Sequence, residues 1–379
     1  MRLLVLDQFS DPGGAQQCLL EFLPAVKERG WSALVGLPGE GEMFERVRQA
    51  GFETARIRCG PYHSGRKSWG DAARFAGGTP LLARQIRRLA EKVGAELVYV
   101  VGPRLLPAVA LAGLRLPVLF HSQSYLFPGA VRRMAGMALR KCRAQVVGAC
   151  RFVAEPWKAF VPPGGVDVIY NGVAGPRNNS LTRDKLKHVA TMGCIGRIAP
   201  EKGQREFVEA AAIIRRALPE CRFVIYGAAL FSDRSARRYE QEVQAAGAKA
   251  GVEFGGWVTD VYSALDAIDL LLVPSAGHEA TTRVILEAYA AGVPVIAFRS
   301  GGIPEVVDDG RDGWLAGSAE EMARLAIELL RGDPEKLAAA ALAAGGSWRQ
   351  RFTIARYHEQ LFAAMERAVR QSWIAERGS

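Results

Sequence analysis

The chain has 379 residues, 49% hydrophobic and 23% charged, a soluble globular balance with room for two domains of ordinary size. Its six cysteines form no Cys-x-x-Cys pair and have no accompanying His spacing, and no apolar run approaches the ~18 residues of a membrane span, so small core thiols in a reducing compartment are expected. The formal net charge of +10 lies in the first half: residues 1–180 carry 24 Lys and Arg against 13 Asp and Glu, and residues 181–379 carry 25 against 26.

Short apolar, β-branched runs alternate with helical patterns along the chain, which predicts an α/β protein of parallel sheets with helices on both faces. A first series of strands is expected near 3–7, 32–37, 97–102, 118–121, 145–149 and 166–170. The apolar run at the start is too short for a signal peptide, so a cytoplasmic location is expected. Gly13 and Gly14 fall in the first strand-to-helix loop, where paired glycines let backbone N–H groups approach an anion without a Cβ in the way. A tight turn would use the same pair. Basic clusters follow at Arg84, Arg87, Arg88 and Lys92, and at Arg132, Arg133, Arg140, Lys141 and Arg143. Such a face attracts an anionic membrane leaflet or a polyanionic acceptor, whereas nucleic acid is disfavoured because no aromatics interleave the basic segments for base stacking.

A Gly/Pro/Asn/Ser cluster at 171–180 suits a linker. Beyond it a second series of strands is expected near 190–195, 222–226, 252–254, 269–273 and 294–297, and a long helical pattern at 354–373 follows the second sheet. The expected organisation is a first domain at 1–173, a second at 174–352, and a helix at 353–379 that crosses back onto the first. A ligand would lie in the cleft between two such domains.

Glu279 and Glu287 stand eight residues apart, after the buried-strand pattern at 269–273 and before the one at 293–297. Were the segment helical throughout, the carboxylates would be about 12 Å and about 80° apart. That is too wide for the two acids of a glycoside hydrolase, which flank one bond at about 5–9.5 Å. It suits an elongated molecule with hydroxyl-rich ends and an anionic middle, such as a nucleotide-diphosphate sugar. Thr281 and Thr282 are placed to cap the helix that carries Glu287, whose exposed N–H groups would face the diphosphate.

With further motifs, this segment resembles the donor-site motif of retaining glycosyltransferases of family 4 (glycosyl transferases group 1), which have the GT-B fold: two Rossmann-like, doubly wound parallel-sheet domains facing a cleft. The motifs are Gly196-Arg197-Ile198-Ala199-Pro200-Glu201-Lys202-Gly203, the Gly13-Gly14 pair, Val168-Ile169-Tyr170-Asn171-Gly172-Val173, and His121 at a strand end. The resemblance implies that Arg197 and Lys202 bind the donor diphosphate and that the Gly13-Gly14 loop lies against diphosphate and acceptor. It also implies that His121 lies near the point where sugar meets acceptor, that Glu279 holds sugar hydroxyls, and that Glu287 holds the ribose. Ala280, Thr281, Thr282 and Arg283 complete the implied donor contacts. Gly301-Gly302-Ile303-Pro304-Glu305 and the turn at Asp309–Gly313 are also similar to the family. Ala280-Thr281-Thr282 replaces the family's usual Gly-Phe-Gly, so the resemblance does not name the donor.

The expected function is retaining transfer of a sugar from a nucleotide-diphosphate sugar to a hydroxyl acceptor, with lipid-linked and polysaccharide intermediates among the acceptors. No cofactor or divalent metal is expected, because no Asp-x-Asp motif ends a strand and the cations and helix N-terminus can stabilise the leaving diphosphate instead. A sugar-nucleotide epimerase of the same fold and a catalytically silent sugar-nucleotide sensor are the rival expectations. Peripheral contact with the cytoplasmic face of the inner membrane through the basic first domain is a further expectation.

Overall fold

A computed structural model describes residues 1–11, 13–59, 69–176, 190–229 and 234–377. Residues 177–180 of the expected linker lie outside the described residues. The chain divides into two compact units, Met1–Tyr170 with Tyr357–Ser379, and Asn171–Arg356, in place of boundaries at 173/174 and 352/353.

The first unit holds a seven-stranded, all-parallel sheet of β1 (Arg2–Asp7), β2 (Ser32–Leu37), β3 (Glu53–Arg56), β4 (Leu97–Val101), β5 (Val118–Ser122), β6 (Gln145–Gly148) and β7 (Val166–Val168), in the order β3-β2-β1-β4-β5-β6-β7. β3 was not expected. Its sequence, Glu-Thr-Ala-Arg, has no apolar run because it is an edge strand with half-buried or exposed side chains. The second unit holds a parallel sheet of β8 (Thr191–Ile195), β9 (Arg222–Tyr226), β10 (Val252–Gly256), β11 (Leu270–Val273), β12 (Val295–Phe298) and β13 (Trp314–Ala316), in the order β10-β9-β8-β11-β12-β13. β13 adds a sixth strand to the five expected, three residues long and directly after the Asp309–Gly313 turn. In both sheets the strand order reverses after the first strand, at β1/β4 and β8/β11. The carboxyl ends there open a crevice in which ligands of such sheets bind.

Alternation along β1 sends Leu4 and Leu6 to one core and Leu3 and Val5 to the other. The second of these cores also takes Phe22 and Leu23 from the Gly14–Glu28 helix and Leu361, Phe362 and Met365 from the Ile354–Arg377 helix. Phe22 and Phe362 pack with their rings tilted by 44° and centroids 4.9 Å apart, and the Arg29 guanidinium covers Phe362 at 4.5 Å while pairing with Glu366 at 2.9 Å. Five cysteines are buried and Cys142 is half-buried; burial pushes the thiol of Cys142 up to about 11 and that of Cys194 up to about 12. Among the described residues no helix is long and apolar enough to cross a membrane.

Candidate functional site

In the second unit the candidate residues collect at the carboxyl ends of β8 and β11. After β8 the chain passes through Gly196, Arg197 and a single turn at Pro200–Lys202, and the Gln204–Ala217 helix begins behind Gly203. Gly203 has φ +72°, and a Cβ there would meet the Pro274 carbonyl oxygen at 1.9 Å, so the turn lies on the chain leaving β11 only because it is glycine. The buried Gln204 amide locks the turn from below, donating to the Arg197 carbonyl at 2.9 Å and accepting from the Ala199 N–H at 3.2 Å. Ala276 N–H closes the two loops on each other by donating to the Glu201 carbonyl at 3.1 Å.

These bonds set the position of Lys202, whose Nζ lies 2.7 Å from Glu279 Oε1, with side chains only 25% and 16% exposed. Arg197 pairs with Glu201 at 2.5 Å. Glu279 is held from behind as well. Gly301 has φ +55° and a Cβ there would meet the Glu279 carbonyl oxygen at 2.1 Å, while Gly302 N–H donates to that oxygen at 2.9 Å. The Gly301-Gly302 pair therefore seats the Glu279 backbone against the end of β12.

The segment from Glu279 to Glu287 is not helical throughout. The helix is Arg283–Ala290, and Glu279 precedes it in a loop, so the 12 Å ruler does not apply across the whole span. The capping expectation also needs correction. Thr282 occupies the N-cap position with extended backbone, but its hydroxyl makes no cap hydrogen bond and is buried with no hydrogen-bond partner among the described residues. The Thr281 hydroxyl is taken by Asn171, whose Nδ2 donates to it at 3.0 Å from 110 residues away. Arg283, expected to face the donor, pairs with Glu287 at 3.3 Å, one turn along the helix, with each side chain 14% exposed. The far end of this helix is pinned by Asp312, a fully buried carboxylate that accepts from the Tyr289 hydroxyl at 2.6 Å, the Ser347 hydroxyl at 2.6 Å and the Asp308 N–H at 2.8 Å.

In the first unit Gly13 is the N-cap of the Gly14–Glu28 helix and has no side-chain cap bond. His121 is the penultimate residue of β5, in the same row as Asp7 of β1, the two joined through Val101 of β4. It is fully buried, and burial pushes its pKa down to about 3, so the ring is neutral. Its Nδ1 is 2.6 Å from the Tyr99 hydroxyl and its Nε2 is 3.2 Å from the Gln123 amide nitrogen. The structure does not bring the His121 ring to solvent. Asp7 was not anticipated, although an acid closing a run as apolar as Leu3–Leu6 is the signal that could have found it. It is fully buried, burial pushes its pKa up to about 7, and its oxygens accept from Gln16 and from the Phe9 N–H.

Residues 190–332 match the glycosyl transferases group 1 family. A GDP-mannose-dependent monoacylated alpha-(1-6)-phosphatidylinositol monomannoside mannosyltransferase from Corynebacterium glutamicum is 34% identical over 189 residues, 47% of this chain and 48% of the relative. A D-inositol 3-phosphate glycosyltransferase from Segniliparus rotundus is 31% identical over 232 residues, 59% of this chain and 50% of the relative. The chain thus spans about half the length of the curated relatives it matches. Anabaena HepE, solved in complex with UDP, superposes with a TM-score of 0.80 and 25% identity over 97% of this chain and 100% of HepE. HepE in complex with UDP-glucose gives 0.78 over 97% of this chain and 99% of HepE. Residues 190–332 thus match as a glycosyl transferases group 1 domain, within a chain whose two parallel-sheet Rossmann-like units have the GT-B fold.

Proposed function

We propose that the protein transfers a sugar from a nucleotide-diphosphate sugar to a hydroxyl acceptor, with retention at the anomeric carbon and without a divalent metal. The observation that carries this reading is the Lys202–Glu279 pair at the carboxyl end of the second sheet, directly ahead of the helix that bears Glu287. Lys202 and Arg197 supply positive charge to the departing diphosphate, Glu279 accepts hydrogen bonds from sugar hydroxyls, and Glu287 accepts them from the ribose. The Thr282–Arg283 helix start faces the diphosphate, with Ala280 and Thr281 lining the approach, and the Gly13-Gly14 loop lends amides to an anionic group of a substrate. His121 acts as a neutral hydrogen-bonding group, not as a proton carrier, since it stays uncharged across the physiological range. The names of the relatives and the UDP-glucose bound to HepE support a nucleotide-sugar donor.

The acceptor side is proposed to touch an anionic bilayer and to take a lipid-linked hydroxyl. No acidic residue occurs between Glu96 and Glu155, and the Ala130–Cys142 helix in this stretch exposes Arg133, Arg140 and Lys141. Beside them Phe127, Val131 and Met137 are 60%, 52% and 61% exposed, and apolar tips among basic residues suit the boundary of headgroups and acyl chains. A thermal-shift screen of UDP-, GDP-, ADP- and dTDP-sugars tests the donor reading, because a bound donor raises the midpoint with its affinity. If none of these compounds shifts the midpoint, the reading fails.

A further inference from the structure

Asp7 lies where the first strand hands over to the Gly13-Gly14 loop. Gln16 Nε2 donates to its Oδ1 at 3.1 Å and its Oδ2 at 3.0 Å, and Phe9 N–H donates to Oδ1 at 2.9 Å. Asp7 is 0% exposed and Gln16 5% exposed, and among the described residues no cation pairs with Asp7. The other end of the Gln16 amide faces the loop: a Cβ built on Gly13 would stand 2.9 Å from Gln16 Oε1. One buried amide therefore spans from the carboxylate to the glycine, with its NH2 end on the acid and its oxygen against Gly13.

Which way that amide points depends on what stands at position 7. A carboxylate only accepts, so it fixes the NH2 end of Gln16 towards itself and the oxygen towards Gly13. A protonated carboxyl or an Asn keeps one acceptor but sets a donor opposite the Gln16 NH2, which removes the bias for this orientation and favours the amide turned over. We infer that Asp7 is a positioning residue which, through Gln16, sets the conformation of the Gly13-Gly14 loop and so presents the loop's amides to an anionic substrate group. The inference rests on the proposed role of this loop.

The thermodynamics favours a functional origin for this arrangement. Burial raises Asp7 from 3.8 to about 7, so between about pH 4 and pH 7 the folded chain binds a proton that the unfolded chain has released. Stability contributed at this position falls as pH rises through that window and stays low above it. A lone buried carboxylate at pH 8 is a cost that a neutral residue of the same shape would not carry. The titratable groups around it do not relieve this cost. Tyr99 from β4 is raised by burial and then by the Cys18 and Asp7 charges, while Cys59, after β3, is raised by burial, lowered by Arg104 and raised by Asp7.

The test compares the full-length chain with Asp7→Asn and with Gly13→Ala. Amide hydrogen exchange over residues 13–17 is read at pH 6 and pH 8 after correction for intrinsic rates, together with the thermal midpoint and UDP-glucose and GDP-mannose affinity by calorimetry. The diphosphate of a nucleotide sugar has no group titrating in this range, so pH effects on affinity belong to the protein. Expected in the parent chain is protection that rises about tenfold, and affinity that rises in parallel, from pH 6 to pH 8. In Asp7→Asn both are expected to stay flat at the lower level while the midpoint at pH 8 increases. A variant that is stabilised yet keeps the parent's pH-dependent protection overturns the positioning role. If Gly13→Ala leaves affinity unchanged, or neither nucleotide sugar binds, the loop's proposed role fails, and the exchange arm still decides the Asp7–Gln16 linkage.

Discussion

Lys202 Nζ and Glu279 Oε1 meet at 2.7 Å, so the cation assigned to the leaving diphosphate and the acid assigned to the sugar are a single ion pair before any ligand arrives. Both side chains are largely shielded from water. On the proposed function, a donor inserts its own polar groups into an existing pair, which would tie phosphate recognition to sugar recognition.

Lys202→Ala is expected to lower turnover by about ten- to a hundredfold, the equivalent of one charge-assisted contact of ~1.5–3 kcal/mol. It also leaves Glu279 without its partner, so the thermal midpoint should drop. Adding Glu279→Gln should recover part of that drop. A double-mutant cycle on stability measures the coupling, and purely additive midpoints would mean that the pair is not formed in solution.

Glu287→Ala should weaken free nucleotide and nucleotide sugar alike, by about tenfold or more in calorimetry, because the ribose is common to both. Arg283 then loses its partner one turn away, so Glu287→Gln is the cleaner substitution. Unchanged nucleotide affinity in both variants removes Glu287 from the ribose role.

His121 gives a pH signature of its own. Its folded pKa is lowered from 6.5 to about 3, so the unfolded chain takes up a proton first as pH falls. The stability His121 contributes is present above pH 6.5 and is lost as pH falls towards 3. Asp7 works in the opposite direction between about pH 4 and 6.5, which makes the parent profile flatter than either group alone. Denaturant titrations from pH 4 to 8 should show a steeper acid limb in Asp7→Asn than in the parent, and equal limbs would contradict the two shifts.

Gly301→Ala and Gly310→Ala separate backbone strain from collision. Both have positive φ, +55° and +80°, and a side chain in this region costs about 1–3 kcal/mol. At Gly310 the added Cβ meets nothing within 4 Å, whereas at Gly301 it strikes the Glu279 carbonyl oxygen. Gly301→Ala should lower the midpoint more and also weaken donor binding, which Gly310→Ala should leave intact.

For the basic face, flotation with vesicles of rising anionic lipid content should show binding that falls as salt is added, since surface charges are screened over about 8–10 Å near physiological ionic strength. Replacing Phe127 and Met137 by Ser should reduce the salt-resistant part. Recovery that ignores both lipid charge and salt would point to a soluble acceptor.

The buried strands of both sheets were legible because each is a continuous apolar run, as in Leu270–Val273 and Val295–Phe298. β3 was hidden because an edge strand needs no such run. The order of the site motifs along the chain could also be read, but not how their side chains pair. Thr281 carries the right residue type to cap a helix, and only the fold brings Asn171 across 110 residues to take its hydroxyl. Lys202 and Glu279 likewise lie 77 positions apart, and their contact follows from how the turn at Pro200–Lys202 packs on the exit of β11. Asp7 read as the polar end of a strand, because burial is a property of what folds over a residue.

The Asp312 carboxylate, gripped by Tyr289, Ser347 and the Asp308 amide, works as a bolt through the helix that carries Glu287. A helix fastened in this way does not roll to suit a different sugar. Attempts to retune donor choice by mutagenesis should therefore vary residues 280–282 and leave the bolted helix alone, since library members altered there would spend their diversity on misfolding.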